Sequence, residues 1–159
     1  MQKLTYFLFI LSLFSACKKE ELSSTPVVSF ISLTPDSWNR NNTDKIGPNL
    51  TFQLKDAEGD FSSDDSVYVT TMFTGQIIDS LGNCNPIDTS LTKGFVFPEI
   101  SNAIQNMDVE VTVNINKLIP FIRGYHCYSD TLNFQFYVKD HAGHQSNTEK
   151  TAAFYYLVP

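Results

Sequence analysis

Twelve residues, Lys55-Asp-Ala-Glu-Gly-Asp-Phe-Ser-Ser-Asp-Asp-Ser66, hold five carboxylates: Asp56, Glu58, Asp60, Asp64 and Asp65. The whole chain is only 18% charged, so this is a local concentration of one sign. Two chemistries fit it. Asp-x-Gly-Asp segments form turns, because Asp hydrogen-bonds its own backbone and Gly accepts a positive φ. The same carboxylates could supply several of the 6–8 hard oxygen ligands that Ca²⁺ takes. An EF-hand is excluded on spacing. Counted from Asp56, Gly59 is fourth rather than sixth, and the twelfth residue is Val67 rather than Glu. The turn ranks first, calcium second and another metal third.

Other residues with reactive side chains are few. The histidines are His126, His141 and His144. His141-Ala-Gly-His144 with Cys84 and Cys127 would make a Cys₂His₂ zinc set, but the cysteines lie 43 positions apart instead of in a close pair. Both histidines of that tetrapeptide read as exposed loop residues. The chain has no Gly-x-Ser-x-Gly elbow, no His-Glu-x-x-His and no phosphate-cradling glycine loop. Glu99 and Glu110 share only their identity with a glycosidase pair. The chain reads as non-catalytic. A hydrolase is the remote alternative and would need His126 or another acid–base pair in a cleft. Tyr125, Tyr128, Tyr137, Tyr155 and Tyr156 read as half-buried cross-strand partners before they read as a carbohydrate platform.

The N-terminus MQKLTYFLFILSLFSAC has Lys3, then an apolar run from Leu4 to Phe14, then Ser15-Ala16-Cys17. That run is too short for a membrane span, which needs roughly 20 residues, and suits the core of a secretory signal. Small-small-Cys resembles the lipobox of bacterial lipoproteins, in which Cys17 would be lipidated and become the first mature residue. Phe14 stands where that family usually has Leu. The resemblance implies a signal peptide at 1–16, a lipidated Cys17 with a polar tether over 17–25, and a domain at 26–159. Lys18-Lys-Glu-Glu resembles surface-export signals of Bacteroidota lipoproteins. The expected location is therefore the outer membrane, facing either the periplasm or the cell surface.

Removing residues 1–16 leaves 10 basic and 17 acidic residues, net −7. Such a chain is repelled by nucleic acid, which is excluded as a partner. The remaining length, about 140 residues, suffices for one self-supporting core. With Cys17 lipidated, Cys84 and Cys127 remain as a pair in an oxidising compartment. A disulfide between them would close about forty residues and contribute about 4 kcal/mol; two reduced thiols are the alternative.

Leu50–Leu54, Val109–Ile115 and Leu132–Val138 alternate apolar and polar residues, the pattern of strands with one wet face. Val27–Leu33, Val67–Phe73, Gly94–Phe97 and Ala152–Val158 are further strand candidates. Pro-Asp-Ser, Ile-Gly-Pro-Asn, Gly-Asn-Cys-Asn-Pro and Asp-His-Ala-Gly-His separate them with turn chemistry. Seven or eight short strands and little helix predict an all-β, antiparallel β-sandwich. Trp38 falls in the first long loop.

The block from Leu50 through Asp-Ala-Glu-Gly-Asp to Asp65-Ser-Val-Tyr-Val resembles the first half of small immunoglobulin-like lipoprotein domains of Bacteroidota. Phe134-Gln-Phe-Tyr-Val-Lys-Asp-His-Ala-Gly-His-Gln-Ser-Asn is similar to their C-terminal ending, with His144 where Asn is usual. The resemblance implies a single immunoglobulin-like domain and leaves function open. Asp65-Ser66-Val67, Asp79-Ser80-Leu81 and Asp130-Thr131-Leu132 resemble the O-glycosylation acceptors of the same bacteria. If Leu50–Lys55 and Leu132–Lys139 run the same way in the sandwich, Asp140 and His141 meet the acidic loop at one end. The calcium reading thus takes Asp56, Glu58, Asp60, Asp64, Asp65 and Asp140 as ligands, in the logic of cadherin-like calcium modules. The expected role is a lipid-anchored structural or interaction module with a protein or glycan partner. The alternative is a glycan- or small-ligand binder presenting Trp38 and exposed tyrosines.

Overall fold

The period-2 segments form strands because alternation places their apolar side chains on one face of a sheet, where only another sheet can cover them. The computed structural model describes residues 22–39, 41, 47–61, 66–97, 105–119, 122 and 128–158, with the backbone alone for 72–78 and 86–89. Cys17, Asp64, Asp65, His126 and Cys127 lie outside the described residues, as do the whole signal peptide and Glu99. Ten strands lie within them: β1 (Val27–Thr34), β2 (Ser37–Asn39), β3 (Asn49–Asp56), β4 (Ser66–Ile78), β5 (Cys84–Val96), β6 (Met107–Asn114), β7 (Asp130–Leu132), β8 (Phe134–Lys139), β9 (Glu149–Lys150) and β10 (Phe154–Leu157). One 3-10 turn, Asn116–Leu118, follows β6.

The strands make an all-β sandwich. One sheet has the order β1-β3-β6 and the facing one β5-β4-β8-β9, both antiparallel. A small third sheet, β2-β10-β7, sets β2 parallel to β10 and β7 antiparallel to it. Phe52 of β3 and Phe136 of β8 meet across the sandwich with ring centroids 5.2 Å apart, and both are fully buried. Leu50, Leu54, Val67, Val69, Phe134 and Val138 complete the contact between the layers.

One expected strand is split in two. Leu132–Lys139 breaks at Asn133, where Thr151 takes over the pairing. Its hydroxyl accepts from the Phe134 N–H (3.1 Å) and its own N–H donates to the Phe134 carbonyl (2.9 Å). The C-terminal candidate, Ala152–Val158, forms β10, and the short β9 precedes it. Ser146 repeats the device, accepting from the Val138 N–H at 3.0 Å. Asn147 joins the two sheets at their edge. Its amide oxygen accepts from the Val28 N–H (2.8 Å) and its NH₂ donates to the Val28 carbonyl (2.9 Å), as a paired strand would.

The Gly94–Phe97 candidate is only the end of a 13-residue strand, β5, whose register with β4 runs from Ser66↔Val96 to Ile78↔Cys84. The hairpin turns at Asp79–Asn83, so Cys84-Asn-Pro lies in a strand rather than in the expected turn. Asp79 sets that turn. Its carboxylate accepts the backbone N–H groups of Asn83 (2.8 Å) and Leu81 (2.9 Å) and the side-chain amides of Asn83 and Asn85. These bonds, led by the one from the Asn83 backbone, hold its pKa below the usual range. Gly82 completes the turn at φ +84°, a region costly for other residues. Cys84 is disulfide-bonded, while its expected partner, Cys127, falls outside the described residues.

Trp38 is not a loop residue. It lies in β2 at 5% exposure and stacks on the fully buried Tyr156, with centroids 6.0 Å apart and planes 12° apart. Strand pairing places Trp38 beside Tyr156, so burial removes it as a carbohydrate platform. The cross-strand reading of tyrosine holds for Tyr137, which stacks on Tyr68 at 5.0 Å, whereas Tyr128 and Tyr155 are exposed.

Two substitutions test this packing. Phe136→Ala should lower the unfolding free energy measured in urea by about 3–5 kcal/mol, the usual cost of a deleted core phenylalanine. Asn147→Ala should lower it by about 1–3 kcal/mol by leaving Val28 without its partners.

Candidate functional site

The acidic segment begins where β3 leaves the sheet, and its first acid is pulled inward. Asp56 is the last residue of β3, paired with Met107, and is fully buried. Its Oδ2 accepts the Gly59 N–H at 2.6 Å, and Gly59 has φ +61°. This is the expected turn, with the Asp side chain bonding its own backbone and a glycine in the left-handed region. The loop is anchored further by Ala57, whose N–H donates to the Ser23 carbonyl (3.0 Å) and whose carbonyl accepts from Asn106 (2.8 Å). Phe61 then re-enters the core and stacks on Phe97 at 4.8 Å.

The second loop arrives from β8, as the strand directions require. Asp140 follows β8 directly and its side chain is fully shielded from solvent. One oxygen accepts the His144 backbone N–H at 2.7 Å, and the other lies 2.9 Å from His144 Nδ1. Backbone bonds from Asp140 to His144 and from Gly143 to Asp140 close the five-residue loop. Asp140 therefore meets the acidic loop as expected, but the histidine that joins it is His144; His141 points outward as an exposed turn residue. The Asp140–His144 spacing across a Gly-containing turn was the sequence signal for this pair.

The turn accounts for only one of the two Asp56 oxygens. Its Oδ1 is inaccessible to solvent and has no hydrogen-bond partner, and the same holds for Oδ1 of the half-buried Asp60. Neither residue is ion-paired with a lysine or arginine among the described residues. Burial raises the Asp56 pKa above the ordinary carboxylate range. The Gly59 hydrogen bond opposes that shift, and the fields of Asp60, Asp140 and Glu58 add to it. His144 is also raised, first by its hydrogen bond to Asp140 and then by the charge of Asp140, with smaller additions from Glu58 and Asp60. Glu58 is exposed. Asp56, Glu58, Asp60 and Asp140 thus share one end of the sandwich. Among the described residues, no three carboxylate, histidine or cysteine side chains are already grouped as a complete metal-ligand set.

Both pKa shifts have the same consequence for stability. A group whose pKa rises on folding stabilises the fold below its unfolded pKa, and that contribution is lost as pH rises through the folded value. For His144 the contribution is full below about pH 6.5 and fades above it. Urea midpoints of the wild type and His144→Gln, compared between pH 5.5 and 9 in chelator, should differ most at the acid end and converge at the alkaline end. A gap independent of pH would show that His144 acts through packing alone.

No protein-family model matches the chain, and no curated protein matches it.

Proposed function

We propose that this chain is an exported, lipid-anchored β-sandwich of the immunoglobulin-like kind that works by binding rather than by catalysis. It is held to the outer membrane through Cys17, and its acidic end forms the functional surface. The observation that carries the reading is a pair of facts with one cause. An apolar leader stops at Ser15-Ala16-Cys17, and Cys84 is disulfide-bonded, a state at home outside the reducing cytosol. A net charge of −6 and an acidic pI near 4.9 suit a soluble face held off anionic surfaces.

The Asp140–His144 pair is the nearest approach to catalytic chemistry, and its geometry favours a structural role. Asp140 spends both oxygens on His144, one of them on the backbone N–H that closes the loop. Among the described residues, no hydroxyl or thiol is hydrogen-bonded to that imidazole. The partner is then a protein or a glycan met at the loops or at the exposed Tyr128 and Tyr155.

Mass spectrometry of the protein extracted from membranes tests the anchor. The N-terminal peptide should begin at Cys17 and carry acyl groups, and Cys17→Ala should release the protein from the membrane fraction. An unmodified Cys17, or a retained leader, would sink the reading.

A further inference from the structure

The end of β3 carries a carboxylate that the fold buries and only half satisfies. Ordinarily a buried carboxylate either takes hydrogen bonds on both oxygens or faces a counter-charge, because leaving it bare in a low-dielectric interior is costly. Asp56 has neither on Oδ1, although Asp60, beside it, is a second acid with a shielded, unpartnered oxygen. Asp140 adds a third negative side chain from the other loop, and its own oxygens are engaged by His144. The histidine therefore engages Asp140, while Oδ1 of Asp56 and Oδ1 of Asp60 stay without a partner.

We infer that Asp56 Oδ1 and Asp60 Oδ1 are the two anionic ligands of a hard divalent cation, Ca²⁺ by preference, bound where the β3 and β8 loops meet. This rests on the reading of the acidic end as the functional surface and gives that surface its ligand. Two carboxylates supply the charge, and water and backbone carbonyls fill the remaining positions of a 6–8-oxygen shell. Calcium suits an irregular loop better than magnesium, which demands near-ideal octahedral geometry and holds its water. The Asp56–Gly59 turn preorganises the site, since Oδ2 is fixed by the Gly59 N–H and Oδ1 is left free. Phe61, packed on Phe97, holds the far side of the loop to the core.

The test uses the full-length protein in detergent micelles, stripped with EGTA. Equilibrium dialysis with radioactive Ca²⁺ should find one ion per chain, and millimolar Ca²⁺ should raise the thermal midpoint by several degrees more than equal Mg²⁺ does. Asp56→Asn keeps an acceptor for the Gly59 N–H while removing the charge. In EGTA it should unfold at or above the wild-type midpoint, and it should bind no Ca²⁺. Asp60→Asn, at a half-exposed position, provides the same loss of binding should Asp56→Asn not fold. Absence of stoichiometric binding at 10 mM Ca²⁺, or binding retained in both variants, would overturn the inference. Neither result depends on Cys17, so the anchor and the cation fail separately.

Discussion

The contact between Phe52 and Phe136 stands at the centre of the sandwich, and the placement of almost everything else follows from it. Each ring belongs to the middle of its own sheet, and burying both fixes which face of β3 and which face of β8 turn inward. A one-residue slip of either strand would carry its whole apolar set into water. Once that register is set, Asp56 must end β3 on the inward face, two residues beyond Leu54, and Asp140 must follow Val138 in the same way. The acidic end is thus a consequence of core packing. The strands cannot bury Leu54 and Val138 without carrying these two carboxylates toward the interior.

That inward placement explains why the two loops are built differently. Asp140 is matched by a histidine four residues on, which takes one oxygen through its ring and the other through its backbone. Asp56 is matched by a glycine N–H alone, which satisfies one oxygen. The first arrangement is closed, and the second leaves Asp56 Oδ1 without a partner. The ionised form of the buried Asp56 is costly, so stability falls as pH rises unless something at that end offsets that cost. The surface ion pair of Lys55 with Asp108, 3.5 Å apart and well exposed, is too screened to do so.

The edges of the sandwich rely on side chains that imitate backbone. Ser146 and Thr151 fill gaps in the ladder beside β8, and Asn147 pairs with Val28 as a strand would. These residues let the chain leave one sheet and join the next without stranding buried N–H groups. The same economy operates at the β4–β5 turn, where one aspartate gathers four donors and the disulfide at Cys84 begins the return strand.

The sequence by itself determined the strands of the core, because alternation of large apolar residues with polar ones leaves few other ways to hide Phe52, Val111 or Phe136. It also determined the Asp56–Gly59 turn, whose residue types are a local instruction, and the meeting of that loop with Asp140, which needed only the direction of two strands. Tertiary structure alone decided what depends on distant partners. Trp38 reads as a loop residue until Tyr156, 118 positions away, pairs beside it and buries it. His144 reads as an exposed loop residue and stays exposed, but only the burial of Asp140 decides that its ring and its backbone N–H partner that carboxylate. Asn147 shows no periodicity, since its role is to meet Val28 across 119 residues. Local patterns encode which faces are apolar, and burial by remote segments decides which polar groups must then find partners.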